Sequence, residues 1–132
     1  MVKRSRRYLA REAVLQELYS QAAGGEYTDV GGHIDHEYRQ ILFAGITAER
    51  AHLEEQIGAQ LSHTSFADVM LTDQLILLIG AYELEYRVDV PWRVVVNEAI
   101  ELAKAYGSDE GYKMVNAILD QLALTHRKRE RM

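Results

Sequence analysis

The chain has 132 residues, a formal net charge of −5 and no cysteine, and Pro91 is its single proline. The missing cysteines exclude disulfides and thiolate metal sites, and this length suits one compact domain. No stretch approaches the roughly 18 apolar residues that span a bilayer, and no apolar segment follows the basic N-terminus. We therefore expect a cytoplasmic protein, and one proline favours long helices over short strands.

The basic residues are concentrated at the two ends of the chain. Nine of the 15 lysines and arginines lie in residues 1–11 and 127–131, whereas residues 13–126 contain 6 basic and 18 acidic residues. An acidic body with basic ends predicts one local contact with an anionic partner and repulsion of nucleic acid elsewhere. We expect the C-terminal cluster to be a frayed tail.

Two helical patterns occupy the first half of the chain. From Arg6 to Ala22, apolar residues recur at intervals of three and four, which predicts an amphipathic helix that ends at Gly24. A polar, glycine-rich loop follows. The apolar pattern from Ile34 to Ile57 predicts a second helix, and we expect a break near residues 45–50 because the run is unusually long.

The most apolar run of the chain, residues 75–84, predicts a central helix that is buried on most sides. Thr72 or Asp73 is the predicted start of this helix. Ser65, with Asp68 three residues later, resembles a capping box just before it. Gly80, inside this central helix, indicates a close crossing with a neighbouring helix.

The last third of the chain predicts two more helices. Pro91 suits the first turn of the next helix, because its missing N–H would have no partner there. Residues 92–96 are rich in β-branched side chains, but the proline before them and the helical spacing after them favour a helix. Gly107 is its predicted end, and residues 108–109 begin the last helix.

No phosphate-binding glycine loop, dinucleotide motif or nucleophile elbow occurs in the sequence. His33 and His36 flank Asp35, but a third fixed ligand is missing, so a solvated helix start is favoured over a metal site. We therefore predict no catalytic residue, no metal, no cofactor and no enzymatic activity.

The other acidic and histidine side chains have ordinary explanations. Glu83 and Glu85 are spaced as on an exposed helix surface. Asn97 and Glu98 lie one turn into a helix, where the dipole favours the Glu98 carboxylate, so capping or packing is favoured for both and a functional role is the alternative. His52 and His126 are isolated in the sequence.

The N-terminal arginines suggest an anion site. Arg7 and Arg11 are separated by one helical turn and share a face. Clustered arginines at the positive end of a helix favour phosphate binding, and a flexible basic tail is the alternative.

Three blocks of the sequence resemble the NusB family in their order and spacing. These blocks are Arg6–Tyr19, Tyr82–Gly107 and Lys113–Asp120. The second block is specific: it contains Tyr-Glu-Leu-Glu-Tyr before the proline and Asn-Glu-Ala-Ile-Glu-Leu-Ala-Lys after it. With the linking helices, the resemblance covers essentially the whole chain.

The resemblance implies an all-α fold of two small packed helical bundles with about six to seven helices. A single NusB-like domain would then comprise an N-terminal subdomain, roughly residues 1–62, and a C-terminal subdomain, roughly residues 63–132.

The resemblance also implies a function in transcription antitermination. The protein would pair with the ribosomal protein NusE, bind the boxA element of nascent RNA, and help RNA polymerase resist termination on ribosomal RNA operons. The expected RNA contacts, including the basic N-terminus, are Lys3, Arg4, Arg6, Arg7, Arg11, Lys113, Asn116 and Asp120. The expected NusE-facing residues are Tyr19, Tyr82, Glu83 and Arg87.

The chain departs from the family pattern at three positions. The family often has arginine at the position of Leu78, and usually phenylalanine and glycine at those of Met114 and Ala117. A phenylalanine can stack on an unpaired base, whereas methionine has no π-face. Tyr112 lies two positions away, about 200° around a helix. We therefore expect an RNA affinity or sequence preference that differs from the family norm.

Two alternative functions fit the same resemblance. Some ribosomal RNA cytosine methyltransferases begin with a NusB-like domain, so the chain could be an RNA-binding module that acts with a separate methyltransferase. Alternatively, it could be a self-associating paralogue, a homodimer with a protein-interaction role.

Overall fold

The computed structural model describes residues 4–27 and 32–131, so Lys3 lies outside the described residues. All regular elements in these ranges are helical, which confirms the all-α prediction. They are α1 (Arg6–Ala23), α2 (His36–Ala59), a 3-10 turn (Phe66–Asp68), α3 (Leu71–Tyr86), α4 (Trp92–Tyr106), α5 (Gly111–His126) and α6 (Lys128–Arg131). None of the described helices is long and apolar enough to cross a membrane.

Helix α1 begins and ends at residues that the sequence favours. The Ser5 hydroxyl accepts a hydrogen bond from the backbone N–H of Tyr8 at 3.0 Å, as a serine N-cap does. Gly24 has a φ of 77°, in the left-handed region that glycine enters without strain, and it closes the helix. No acidic residue lies in the first turn, so the positive end of the helix dipole is not neutralised there.

The predicted break in the second helix is wrong, because α2 runs without interruption. Asp35 starts this helix by accepting the backbone N–H of Tyr38 at 3.0 Å. Gly45, where the break was expected, lies against α3, and a β-carbon built on it would overlap the ring of Tyr82. The glycine therefore allows a close approach between two helices and does not bend its own.

Helix α3 is central, as its apolar run predicts, and it packs against α1, α2, α4 and α5. Leu78 is fully buried, so this departure from the family pattern lies in the core. A β-carbon on Gly80 would lie 2.5 Å from Leu119 Cδ1 of α5, which confirms the predicted close crossing. Buried side chains from α1 to α5 form one hydrophobic cluster. The division into two subdomains near residue 62 stays a prediction.

Helix α4 begins at Trp92, one residue later than predicted, and ends where predicted. Pro91 is its N-cap, and residues 92–96 are helical and not a strand. Gly107 is its C-cap. Helix α5 begins at Gly111, slightly later than predicted.

Two predicted caps have other roles in the structure. Asp73 lies in the first turn of α3, which begins at Leu71, and its carboxylate is buried. It accepts hydrogen bonds from the Ser108 hydroxyl at 2.7 Å and the Ser108 N–H at 3.3 Å, so it fixes the turn between α4 and α5. The Ser65 hydroxyl bonds to Asp68 at 3.0 Å and caps no backbone N–H.

Gly80→Ala tests the close crossing of α3 and α5. The added methyl group would meet the fully buried Leu119, so the free energy of unfolding should fall by about 1–3 kcal/mol, as in other overpacked cores. Gly58→Ala is the matched control, because its added carbon has no neighbour within 4 Å. That variant should gain up to about 1 kcal/mol from helix propensity. Urea unfolding measures both, and equal stabilisation of the two variants would contradict the crossing.

Candidate nucleic-acid interface

A charged cluster lies inside the protein where α1, α2 and α3 meet. The Arg11 guanidinium of α1 donates two hydrogen bonds to the Glu83 carboxylate of α3, at 2.7 and 2.8 Å. The Tyr38 hydroxyl of α2 donates to the same carboxylate. The Arg11 and Glu83 side chains are only 2% and 1% exposed. This bidentate pair is shielded from water, so the loss of either partner would leave an uncompensated buried charge.

The surroundings of this cluster favour its present protonation state. Burial disfavours the Arg11 cation, but the hydrogen bonds and charge of Glu83 outweigh burial and raise the pKa of Arg11. Burial and the adjacent Glu83 carboxylate both raise the pKa of Tyr38. Tyr38 therefore remains a protonated donor at neutral pH.

This geometry revises the roles expected of two residues. Arg11 was predicted to contact RNA, and Glu83 was predicted on the NusE-facing surface and in an exposed pair with Glu85. Both side chains are instead interior and bonded to each other, so the interpretation of Glu83 as an exposed surface carboxylate is wrong. In this conformation the two residues hold α1 on α3.

A cleft of about 360 Å³ opens between the start of α1 and the start of α4, and we call it the arginine cleft. Arg6 and Arg7 line it on the α1 side, together with the buried Arg11. Val94 and Glu98 line it on the α4 side. Burial raises the pKa of Glu98, because the loss of hydration outweighs the attraction of nearby arginines.

Arg7 faces this cleft with its charge only loosely compensated. Its guanidinium lies 4.1 Å from the ring centroid of Tyr38, a cation–π contact. It lies 3.8 Å from the Asp35 carboxylate and 3.6 Å from that of Asp89. Both distances exceed a hydrogen bond, so the N–H donors can still turn to a phosphate.

Arg4 and Arg6 are exposed next to the cleft. Arg4 lies over the ring of Tyr8 at 4.5 Å and pairs with Glu101 at 3.3 Å. Arg6 donates to the backbone carbonyl of Ile34 at 3.4 Å. The structure thus brings the three accessible arginines of the predicted site to one edge of the molecule.

A second cleft, of about 180 Å³, lies between α4 and α5, and we call it the α4–α5 cleft. Its lining residues are Trp92, Arg93, Val96, Asn97, Asn116 and Asp120. Two predicted RNA contacts, Asn116 and Asp120, therefore meet Trp92, which no sequence pattern singled out. Lys113 is exposed one turn earlier on α5 and pairs with Glu110 at 2.6 Å.

The two clefts flank the first turns of α4. Val94 lines the arginine cleft and is 40% exposed, whereas Arg93 and Asn97 line the α4–α5 cleft and are also exposed. At roughly 100° per residue, these three side chains share the outward face of α4. An extended strand could pass from one cleft to the other over a single helix, a width of about 10 Å.

The C-terminal basic cluster is not a frayed tail, contrary to the prediction. Arg127 is only 4% exposed. It donates to the backbone carbonyls of Leu84 at 2.7 Å, Val90 at 2.9 Å, Arg87 at 3.0 Å and Glu83 at 3.1 Å. Carbonyls at the end of a helix lack a full set of helical donors, so Arg127 caps the end of α3.

Glu130 and Arg131 join this segment to α4 and α5. Glu130 accepts from Arg127 and from the backbone N–H of Trp92, each at 2.7 Å. Burial opposes the charge of Glu130, but these two bonds outweigh it and lower its pKa. The Arg131 guanidinium lies 4.1 Å from the Trp92 ring centroid and donates to Asp120 at 2.7 Å.

The structure separates the residues predicted to face NusE. Tyr19 is 46% exposed and lines a cleft of about 320 Å³ with Thr72, near the start of α3. Tyr82 stacks on Tyr86 with ring centroids 5.1 Å apart, and Arg87 closes α3. The start and end of α3 are about 22 Å apart along its axis, so these residues do not form one patch.

A polar cluster joins α2, α3 and α5, and no sequence pattern indicates it. Glu85 lies 2.9 Å from His52 Nε2 and accepts from Gln56 at 2.5 Å, and His126 Nε2 lies 2.6 Å from Gln56 Oε1. Burial opposes the charge of Glu85, but hydrogen bonds from Gln56 and His52 and the nearby His126 lower its pKa. His52 and His126, which are isolated in the sequence, therefore belong to one cluster in the fold. Within the described ranges, no three potential ligands come together as a metal site.

Together these features define a small all-α protein whose first helix presents arginines beside a cleft and is anchored by a buried ion pair. A family model described as the NusB family matches residues 6–124. A relative from Nitrosomonas europaea is 40% identical over 130 residues, covering 91% of this chain and 77% of the relative. A relative from Shewanella amazonensis is 39% identical over 131 residues, covering 92% of this chain and 97% of the relative.

Both relatives are named "Transcription antitermination protein NusB". A solved structure described as T. maritima NusB matches the fold with a TM-score of 0.77 and 27% sequence identity, covering 98% of this chain and 99% of that one. The chain belongs to the NusB family, which confirms the resemblance found in the sequence.

Arg11→Met tests whether the ion pair holds α1 in place. The substitution leaves the Glu83 carboxylate buried without its cation, so the free energy of unfolding should fall by about 3–5 kcal/mol. The triple variant Arg11→Met, Glu83→Leu, Tyr38→Phe removes every polar group of the cluster and should recover part of this loss. Urea unfolding measures both, and a single variant as stable as the original protein would contradict the anchoring role.

The two neighbouring arginines Arg127 and Arg129 provide a matched test of the C-terminal cap. Arg127→Ala strands several backbone carbonyls, so we expect a loss of about 2–4 kcal/mol. Arg129 is exposed, and Arg129→Ala should change stability by no more than about 0.5 kcal/mol. Thermal unfolding compares them, and equal midpoints would restore the interpretation of a frayed tail.

Proposed function

We propose that this chain is a transcription antitermination factor that binds boxA-type single-stranded RNA together with the ribosomal protein NusE. Within an antitermination complex on RNA polymerase, it would support transcription of ribosomal RNA operons. Membership of the NusB family supports this proposal, and the relatives at 39 and 40% identity are named for antitermination.

The observation that carries the proposal is the accessible positive end of α1. Arg4, Arg6 and Arg7 lie at this helix start, where the unpaired N–H groups and the dipole add further positive potential. Arginine forks bind phosphate oxygens in a bidentate manner. This edge therefore suits an RNA backbone, and the buried Arg11 supports it by holding the helix.

The rest of the RNA path is proposed to run across α4 to α5. Exposed Lys113 would add a phosphate contact, and Asn116 would read a base edge. Asp120 would act through Arg131, which neutralises its charge. Lys3 extends the same basic cluster in the sequence.

NusE is proposed to bind the acidic body of the protein. Residues 13–126 contain 18 acidic and only 6 basic residues, and ribosomal proteins are usually basic, so the charges are complementary. The exposed Tyr19, in its cleft near the start of α3, would be an aromatic anchor of the kind that dominates interfaces. Tyr82 and Arg87 would make a separate contact near the other end of α3.

Binding of a boxA-type strand should weaken steeply with salt. If roughly five phosphates are neutralised, log K should fall with a slope near −3.5 against log salt, about a hundredfold between 50 and 200 mM. The double variant Arg6→Ala, Arg7→Ala should flatten this slope by about 1.4 and weaken binding to all RNAs alike. Fluorescence anisotropy of an end-labelled strand measures both effects.

Arg50→Ala is the charge-matched control, because Arg50 lies on α2 and pairs with Glu54. It should leave affinity and slope unchanged. The same assay with a scrambled strand tests sequence choice, which Asn116→Ala should reduce. Adding NusE should strengthen boxA binding. A slope near zero would contradict the electrostatic contact, and an affinity indifferent to NusE would contradict the partnership.

A further inference from the structure

We propose that the α4–α5 cleft is a nucleobase subsite, in which the indole of Trp92 stacks on one unpaired base of a single-stranded nucleic acid. The inference rests on the proposed function, since it names how that RNA is gripped. Trp92 and Asn116 are distant in the sequence, and only the packing of α5 against α4 brings them together.

The cleft contains the groups that recognise a base. Trp92 is half-buried, so packing fixes one part of the ring and leaves another part accessible. Asn97 and Asn116 are exposed, and within residues 4–27 and 32–131 neither side-chain amide is bonded to another residue. A carboxamide offers both donors and an acceptor, which matches the Watson–Crick edge of a base.

Two guanidinium groups already lie over the indole. The Arg131 guanidinium is 4.1 Å from the centroid of the Trp92 ring, a distance at which a base would also stack, and the Arg93 guanidinium is 5.1 Å from it. Arg131 therefore marks a ring face that accepts flat, π-facing groups. By pairing with Asp120 at 2.7 Å, it also neutralises the one carboxylate of the cleft lining, which would otherwise repel an RNA strand.

The charges around the cleft favour a nucleic acid over other flat ligands. Arg93 lines the cleft, and the arginine cleft lies across a single helix, so a phosphate backbone would meet cations on both sides of the stacked base. Met114 of α5, which stands where the family usually has a phenylalanine, lines a different cleft with Asp68, Asp73 and Glu110. Those carboxylates would repel phosphates, so base stacking is assigned to Trp92.

The fluorescence of Trp92 tests this subsite directly, because it is the only tryptophan of the chain. The unmodified protein is titrated with a boxA-type strand and with an abasic ribose-phosphate strand of equal length, at low salt. We expect the strand with bases to quench the fluorescence and the abasic strand to leave it unchanged. Anisotropy of end-labelled strands reports in parallel whether each one binds.

The possible outcomes distinguish failure of the Trp92 subsite from failure of the proposed function. RNA that binds by anisotropy without changing Trp92 fluorescence would overturn the subsite and leave the proposed function intact. Quenching of equal size by the abasic strand would also overturn stacking. No anisotropy change with any strand, with or without NusE, would overturn the proposed function and the subsite with it.

Substitutions give an independent measure. Trp92→Ala should weaken binding of the strand with bases by roughly tenfold or more, whereas Trp92→Phe keeps a π-face and should stay within about threefold. Neither change should affect the abasic strand. Tyr112→Ala is the matched aromatic control on α5 and should leave binding unchanged. Equal losses for Trp92→Ala and Trp92→Phe, or a loss confined to Tyr112→Ala, would overturn the assignment.

Discussion

The bidentate bond between Arg11 and Glu83, with Tyr38 on the same carboxylate, joins three helices at one buried point. A buried ion pair tolerates little displacement, because separating its partners leaves a charge without solvation. Helix α1 is therefore held in one register against α3. The arginines that start α1 consequently line a defined cleft, which turns a basic segment of sequence into a shaped surface.

A second constraint acts at the other end of the chain. Arg127 donates to the last carbonyls of α3 and to the Glu130 carboxylate, and Glu130 also accepts the first N–H of α4. The guanidinium of Arg131, the next residue, lies over the ring of Trp92. The two basic ends of the sequence thus meet on either side of the start of α4, one at the arginine cleft and one at the α4–α5 cleft. Basic charge that lies at opposite ends of the sequence is thus brought together around one helix.

These arrangements divide the charged residues into two groups with different roles. Arg11 and Arg127 are interior and shape the surface without reaching it, whereas Arg6 and Arg93 are exposed. The division explains how an acidic protein can present a basic edge. Coulombic attraction of an anion is then local to the clefts, and the acidic body repels anions elsewhere.

Periodicity, capping and motif order are local properties of the chain, so the helical class, the central helix, several helix ends and the family could be predicted from them. Which arginines are buried depends instead on how the helices pack, since Arg11 finds its partner 72 positions away. The role of Gly45 in the unbroken helix α2 likewise depends on Tyr82 of α3, which packs against it. The burial of Arg127 depends on its carbonyl partners at the end of α3. The cleft that joins Trp92 to Asn116 depends equally on helix packing. Charge and spacing in a sequence do not specify burial, because burial is set by the helices that pack against each residue.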